Sequence, residues 1–275
     1  MRESPSLPGD AVDRKILYRH RDDEGTIEVV QERDARSLYF GSPSKQSSVR
    51  PDAPHELVLP YTRTLTAALL FRPEPRRILL VGLGGGALAH FFLHHFPEAR
   101  VEAVENRAEV VAVARDFFAL PLDHPRLTVH LREAGSFLAE PGTAPREGWD
   151  LIVADAYNSE GPDPATLLED FYQRCRSGMH PEGVLAANLW SSRRRRLRAA
   201  LDAMERVFGA PVYRLQARGR ANVSAFAGRG GLPAEPGPTL ADRARSLEER
   251  IGLAYERYLA DLEPNRRTWL DAIFP

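Results

Sequence analysis

Apolar and polar positions change rhythm along this chain, and the changes divide it into three stretches. Thr26 to Glu32 (TIEVVQE) and Arg36 to Phe40 (RSLYF) read as two short strands around a turn at Arg33 to Ala35. A third extended segment is predicted at Gln46 to Val49, after a polar, proline-containing start over residues 1–15 that reads as loose. Arg50 to His55, with two prolines, is a loop. Glu56 to Phe71 carries apolar residues at helical spacing and stops before Pro73 and Pro75. From Ile78 the pattern alternates. Strands are predicted at 77–82, 100–105, 127–131, 150–154, 182–189, 211–215 and 221–227, and helices at 87–95, 107–118, 134–139, 164–176 and 192–207. Such alternation implies an α/β protein with a mostly parallel sheet covered on both faces. No helix separates the last two strands, so they are expected as an antiparallel hairpin at one edge. A Gly/Pro-rich linker after Gly228 leads to a final helix near Leu240 to Leu259. The expected organisation is a small β-hairpin domain over 1–55, a larger α/β domain over 56–230, and a linker with a C-terminal helix over 231–275.

Composition narrows the options by exclusion. A chain of 275 residues with 43% hydrophobic content can bury a large α/β core and a smaller companion. The formal net charge of −1 offers no global field for nucleic acid or an anionic membrane. The single cysteine, Cys175, excludes an internal disulfide and a multi-cysteine metal site, and reads as a packed apolar residue. No apolar run reaches the roughly 18 to 20 residues that span a bilayer, and the charged N-terminus lacks a signal-peptide core. A cytoplasmic location is the expectation.

The most informative segment is Ile78 to Glu105, ILLVGLGGGALAHFFLHHFPEARVEAVE. It reads as a strand, a glycine turn at Gly82, Gly84, Gly85 and Gly86, a helix, and a second strand ending on Glu105. Glycines let the backbone turn and approach a ligand where a Cβ would clash. An acid roughly 20 residues on can accept both hydroxyls of a ribose. This is the core of a nucleoside-binding βαβ unit. Seven strands closing in an antiparallel pair describe a Rossmann-like S-adenosylmethionine-dependent methyltransferase fold better than a dehydrogenase.

Ligands of open α/β sheets bind at the carboxyl ends of the strands. The third strand runs into Arg132-Glu133-Ala134, making Glu133 and Ala134 candidate nucleoside contacts. Glu133 could accept an exocyclic amine such as adenine's, and it also suits a helix N-terminus electrostatically. The fourth strand (LIVADAYNSEGP) delivers Asp155 after four apolar residues, as a general base or as the partner of a cationic group. Tyr157 and Asn158 follow it and are candidates to line a substrate pocket. Other features have plainer readings. His94 and His95 end a helix, where imidazoles meet the carbonyl dipole end, and no spaced partner predicts a metal. Arg193 to Arg196 read as a solvated helix face.

With these motifs in view, the sequence resembles the spermidine synthase (polyamine aminopropyltransferase) family from the N-terminal hairpin to about residue 227. The resemblance rests on Gln46, Tyr61, ILLVGLGGGAL, AVEN with Glu105, REAGSFL with Glu133, and VADAYNSEGP with Asp155. It implies decarboxylated S-adenosylmethionine as donor, an amine as acceptor, and transfer of an aminopropyl group. By the same resemblance Glu105 would hold the ribose, Glu133 the adenine amine, and Tyr61 the acceptor, while Asp155 would deprotonate the attacking amine. Family members often form dimers, which makes a homodimer an option here. Three departures stand out: Gly85 and Asn158 replace acids, and Arg63 replaces a glutamate. An all-glycine loop would welcome the α-carboxylate of intact S-adenosylmethionine. The sequence therefore leaves open an aminopropyltransferase, a methyltransferase on the same scaffold, and a noncatalytic nucleoside-binding homologue.

Overall fold

Four antiparallel strands open the fold: β1 (Arg14–Asp22), β2 (Gly25–Glu32), β3 (Ala35–Tyr39) and β4 (Lys45–Val49), paired in that order. The computed structural model describes residues 14–158, 161–209, 211–235 and 237–265. Most of the loose start expected over 1–15 therefore lies outside the described residues, and Arg14 and Lys15 already belong to β1. The hydrophobic pattern missed β1 because all of its residues are exposed or only partly covered. An edge strand that buries neither face carries no alternation. In β2 and β3, by contrast, Ile27, Val29 and Leu38 are wholly buried, with Val29 opposite Leu38.

The helix expected over 56–71 is shorter. It begins as α1 (Pro60–Leu65) and tightens into a 3-10 turn at Thr66–Leu70. Pro60 sets this start: its ring fixes φ for the first helical turn and forces Leu59 into extended geometry, with ψ 133°.

The remaining chain winds through β5 (Arg77–Val81), α2 (Ala87–His95), β6 (Arg100–Glu105), α3 (Ala108–Phe118), β7 (Leu127–Leu131), α4 (Ala134–Ala139) and β8 (Trp149–Ala154). A two-residue hairpin, β9 (Tyr157–Asn158) with β10 (Gly161–Pro162), replaces the expected loop. Then come α5 (Glu169–Gly178), β11 (Met179–Trp190), α6 (Arg194–Phe208), β12 (Tyr213–Gln216), β13 (Asn222–Gly228), α7 (Pro238–Ile251), α8 (Tyr255–Ala260) and β14 (Glu263–Pro264). Two further expectations are corrected. The helix over 164–176 is split by extended Leu168 into a 3-10 turn at Pro164–Leu167 and α5. The C-terminal helix over 240–259 breaks at Gly252, whose φ of 78° ends α7 in the left-handed region.

The large sheet has the order β14-β12-β13-β11-β8-β5-β6-β7. The seven expected strands are present, and two residues of β14 add an eighth beyond β12. β11, β8, β5, β6 and β7 run parallel, and β13 is antiparallel to both β11 and β12. Residues along β5 alternate between the two faces. Ile78 and Leu80 join a core with α2, α3, α7 and α8, whereas Leu79 and Val81 join one with α4, α5 and α6. The first core continues without a break into the N-terminal sheet through Ile27, Val29 and Leu38. Strand order proceeds outward in one direction from β5 and in the other from β8. Their carboxyl ends thus flank a topological switch point, where such sheets open a ligand crevice.

Candidate active site

Val81 ends β5 and Ala154 ends β8, and the Asp155 amide donates to the Val81 carbonyl at 2.8 Å, drawing the two strand tips together. Gly82 is what permits this approach. Its φ is 94°, and a Cβ there would stand 2.4 Å from the Asp155 carbonyl oxygen. The crevice above is lined by Gly82, Leu83 and Gly84 from the glycine loop, Glu105 and Asn106 from β6, Arg132, Glu133 and Ala134 after β7, and Asp155 to Asn158 after β8. From the other side Glu24, Phe40, Gln46, Ser47, Tyr61 and Thr62 complete the wall.

Most of the residues singled out by sequence therefore meet in one cavity. Gly85 and Gly86 do not line it. A Cβ on Gly85 would lie 2.9 Å from the Phe118 ring, and one on Gly86 2.8 Å from Leu120. These glycines serve the packing of the loop on the end of α3. Arg63, which replaces the family's glutamate, does not line the cavity either: its Nε donates to the Leu57 carbonyl at 2.6 Å. Thr62 is the neighbour that faces the cavity.

Glu105 is buried and held by two backbone amides: Leu83 N–H donates to Oε2 at 3.1 Å and Arg107 N–H to Oε1 at 3.0 Å. Burial raises its pKa, and those amides with the Arg107 charge counter the rise. Arg107 is itself fixed by a bidentate pair with Asp22 of β1 and lies 4.7 Å over the Phe40 ring. Glu133 caps α4, its carboxylate accepting from Gly135 N–H at 2.7 Å and Ser136 N–H at 2.6 Å. The helix-start reading of this acid is thus realised, and it lines the cavity as well. An ionised carboxylate has about four acceptor positions, so each acid retains capacity for a ligand donor.

Asp155 sits in the most unusual environment. Asn188 Nδ2 donates to its Oδ1 at 2.7 Å, and Asn222 Nδ2 donates to Asn188 Oδ1 at 3.0 Å. Tyr157 donates to the Asn188 carbonyl at 3.2 Å, and Tyr61 to the Gln46 carbonyl at 2.7 Å. Burial pushes the Asp155 pKa up to about 7, with Asn188 and then Tyr61 restraining the rise. Burial, with Asp155 nearby, holds the Tyr61 phenol well above its ordinary value, so it remains a protonated donor. A carboxylate poised near neutrality in a cleft has the properties of a general base.

Asn188, Asn222, Glu24 and Asn106 were not singled out from sequence. Asn188 carried a usable signal as a lone amide in an apolar strand (VLAANLW); Glu24 had none, standing in a turn far along the chain. Two other sequence features resolve simply. His55 stacks on His94 at 3.7 Å beside His95, and burial lowers the pKa of both helix-end imidazoles, His95 to about 4. Among the described residues no cluster of His, Cys, Asp or Glu is arranged to hold a metal ion.

The fold and site define a Rossmann-like α/β protein of the methyltransferase type, with a crevice at the β5/β8 switch point. Residues 59–193 match the profile of the spermine/spermidine synthase domain. Over 243 residues the chain is 32% identical to a polyamine aminopropyltransferase of Chromobacterium violaceum, covering 88% of this chain and 91% of that protein. The chain belongs to the spermidine/spermine synthase family. The structure of a probable spermidine synthase from Corynebacterium glutamicum superposes with a TM-score of 0.72 at 18% identity, covering 94% of both chains. Human methyltransferase-like protein 13 in complex with SAH matches with a TM-score of 0.57 at 26% identity, covering 78% of this chain and 96% of that one. No helix among the described residues is long and apolar enough to cross a membrane.

Proposed function

We propose that this protein is an aminopropyltransferase that uses an S-adenosyl sulfonium donor, decarboxylated S-adenosylmethionine, and an amine acceptor. The observation that carries this reading is the placing of Asp155, a partly buried carboxylate that lines the cavity, accepts from Asn188 at 2.7 Å and is pushed up to a pKa of about 7 by its surroundings. Glu105 would take the ribose hydroxyls, Glu133 and Ala134 the adenine edge, and Gln46, Gly82 and Gly84 the remainder of the donor. Tyr61, Tyr157 and Asn158 would position the acceptor. The acceptor nitrogen attacks the methylene carbon next to the sulfonium. A C–N bond forms as the C–S bond breaks, its electron pair leaves with sulfur as a neutral thioether, and the nitrogen's proton passes to Asp155. Alignment supplies most of the acceleration and the base the remainder.

Methyl transfer is a second reading, and Gly85 favours it. Position 85 is glycine, so no acid stands there to meet the ammonium of a decarboxylated donor, and the Phe118 ring occupies the space where a side chain would begin. The human relative was captured with SAH, the product of methyl transfer. Calorimetry with the carboxylated and decarboxylated donors, methylthioadenosine and adenosylhomocysteine separates the two readings. Preference for the decarboxylated pair, with product formed from an amine, is the expected result. Binding of the carboxylated pair alone would transfer the conclusion to methyl transfer. Binding of none would remove both.

A further inference from the structure

A second cavity opens beside the nucleoside crevice and shares Gln46, Tyr61 and Tyr157 with it. Its walls are aromatic: Tyr61, Tyr157 and Trp190 line it, the last two with ring centroids 5.7 Å apart. Asn188 and Asn222 line it as well, so an amine seated here reaches the same amide pair that holds Asp155. This is the side from which an acceptor would approach the base.

The charge at the far end is unusual for an amine-binding site. Among the described residues lining this cavity there is no carboxylate. Two cations line it. Lys45 is ion-paired with Glu32, which offsets its charge. Arg220 stands in the turn between β12 and β13. Its neighbour Arg218 pairs with Asp261, whereas the Arg220 guanidinium has no acidic partner among the described residues. At the mouth, Trp190 and Ser192 lead directly into Arg193 to Arg196, all exposed, at the N-terminal turn of α6. The helix dipole adds positive potential at the same place. Among the described residues a second ammonium would meet like charge there and no counter-ion, whereas a carboxylate or phosphate would meet a guanidinium suited to it in geometry and charge.

We infer that the acceptor is an amine whose far end carries an anion, rather than a diamine, and that Arg220 selects it. The inference rests on the reading of the first cavity as the donor site, and the test keeps the two apart. Methylthioadenosine is titrated first; its failure to bind would count against the donor site itself. With methylthioadenosine saturating, ω-amino carboxylates and α,ω-diamines matched in chain length are compared by calorimetry. The expected result is at least tenfold tighter binding of the amino carboxylate, and reversal of that order in Arg220→Glu, an exposed turn position. Tighter diamine binding, binding of neither series, or an unchanged order in Arg220→Glu would each overturn the inference.

Discussion

At the scale of single residues, the environment of Asp155 makes a directional prediction about pH. Only the ionised carboxylate can take a proton, so turnover should rise as pH increases through about 7. Asn188→Leu removes a donor to the charged form and should move this acidic limb upward by about one pH unit, with donor affinity retained; an unmoved limb would detach Asn188 from the base. The stability effect runs the opposite way. The folded carboxyl keeps its proton from its unfolded pKa up to about 7, so stability falls by roughly 1.4 kcal/mol for each pH unit climbed across that interval. Asp155→Asn should therefore abolish turnover, and its thermal stability relative to the parent should be greater at pH 8 than at pH 5. Position 85 gives a steric prediction. Gly85→Asp forces a Cβ against Phe118 and should cost about 1–3 kcal/mol in denaturant unfolding. Phe118→Leu in the same chain should return part of that loss, and an additive double variant would refute the contact.

Among the elements, legibility followed burial. β5, β6, β8 and β11 are buried on both faces and read from sequence as apolar runs. The exposed edge strand β1 did not. The breaks at Leu168 and Gly252 stayed hidden because apolar spacing continues across them while the backbone departs from the helix. The same division holds in the site. Acids at strand tips, Glu105 and Asp155, were visible because the chain delivers them directly. The Asn222–Asn188–Asp155 relay was not, since it exists only once β13 lies beside β11. The overlooked β1 has a measurable role through Asp22, which pairs with the nearly buried Arg107 beneath Glu105. Asp22→Ala strands that guanidinium and should cost about 2–4 kcal/mol. Nucleoside affinity should weaken with it, because the Arg107 amide holds Glu105. Full stability in the variant would make β1 incidental.

For the whole molecule, the question is what keeps α1, and with it Tyr61, in register with the sheet. α7 and α8 bring Leu240, Ala244, Leu247, Tyr255 and Tyr258 into the core that also holds α2, α3 and the N-terminal sheet. Tyr255 is wholly buried, and its hydroxyl meets Thr66 Oγ1 at 3.0 Å, one residue past the end of α1. Thr64, inside α1, meets Ser224 of β13 at 2.8 Å. The helix carrying Tyr61 is therefore gripped from the C-terminal segment on one side and from the sheet on the other. Two substitutions separate packing from the hydrogen bond. Tyr255→Phe keeps the ring and loses one buried hydroxyl contact, an expected cost of about 1 kcal/mol. Tyr255→Ala opens a cavity in a continuous core, an expected cost of about 3–5 kcal/mol. Because that core spans both sheets, the alanine variant should still unfold in one transition, at lower denaturant and with the same slope. If two transitions appear, or the slope changes, the N-terminal sheet and the eight-stranded sheet are separable units, and the grip on Tyr61 is local to α8.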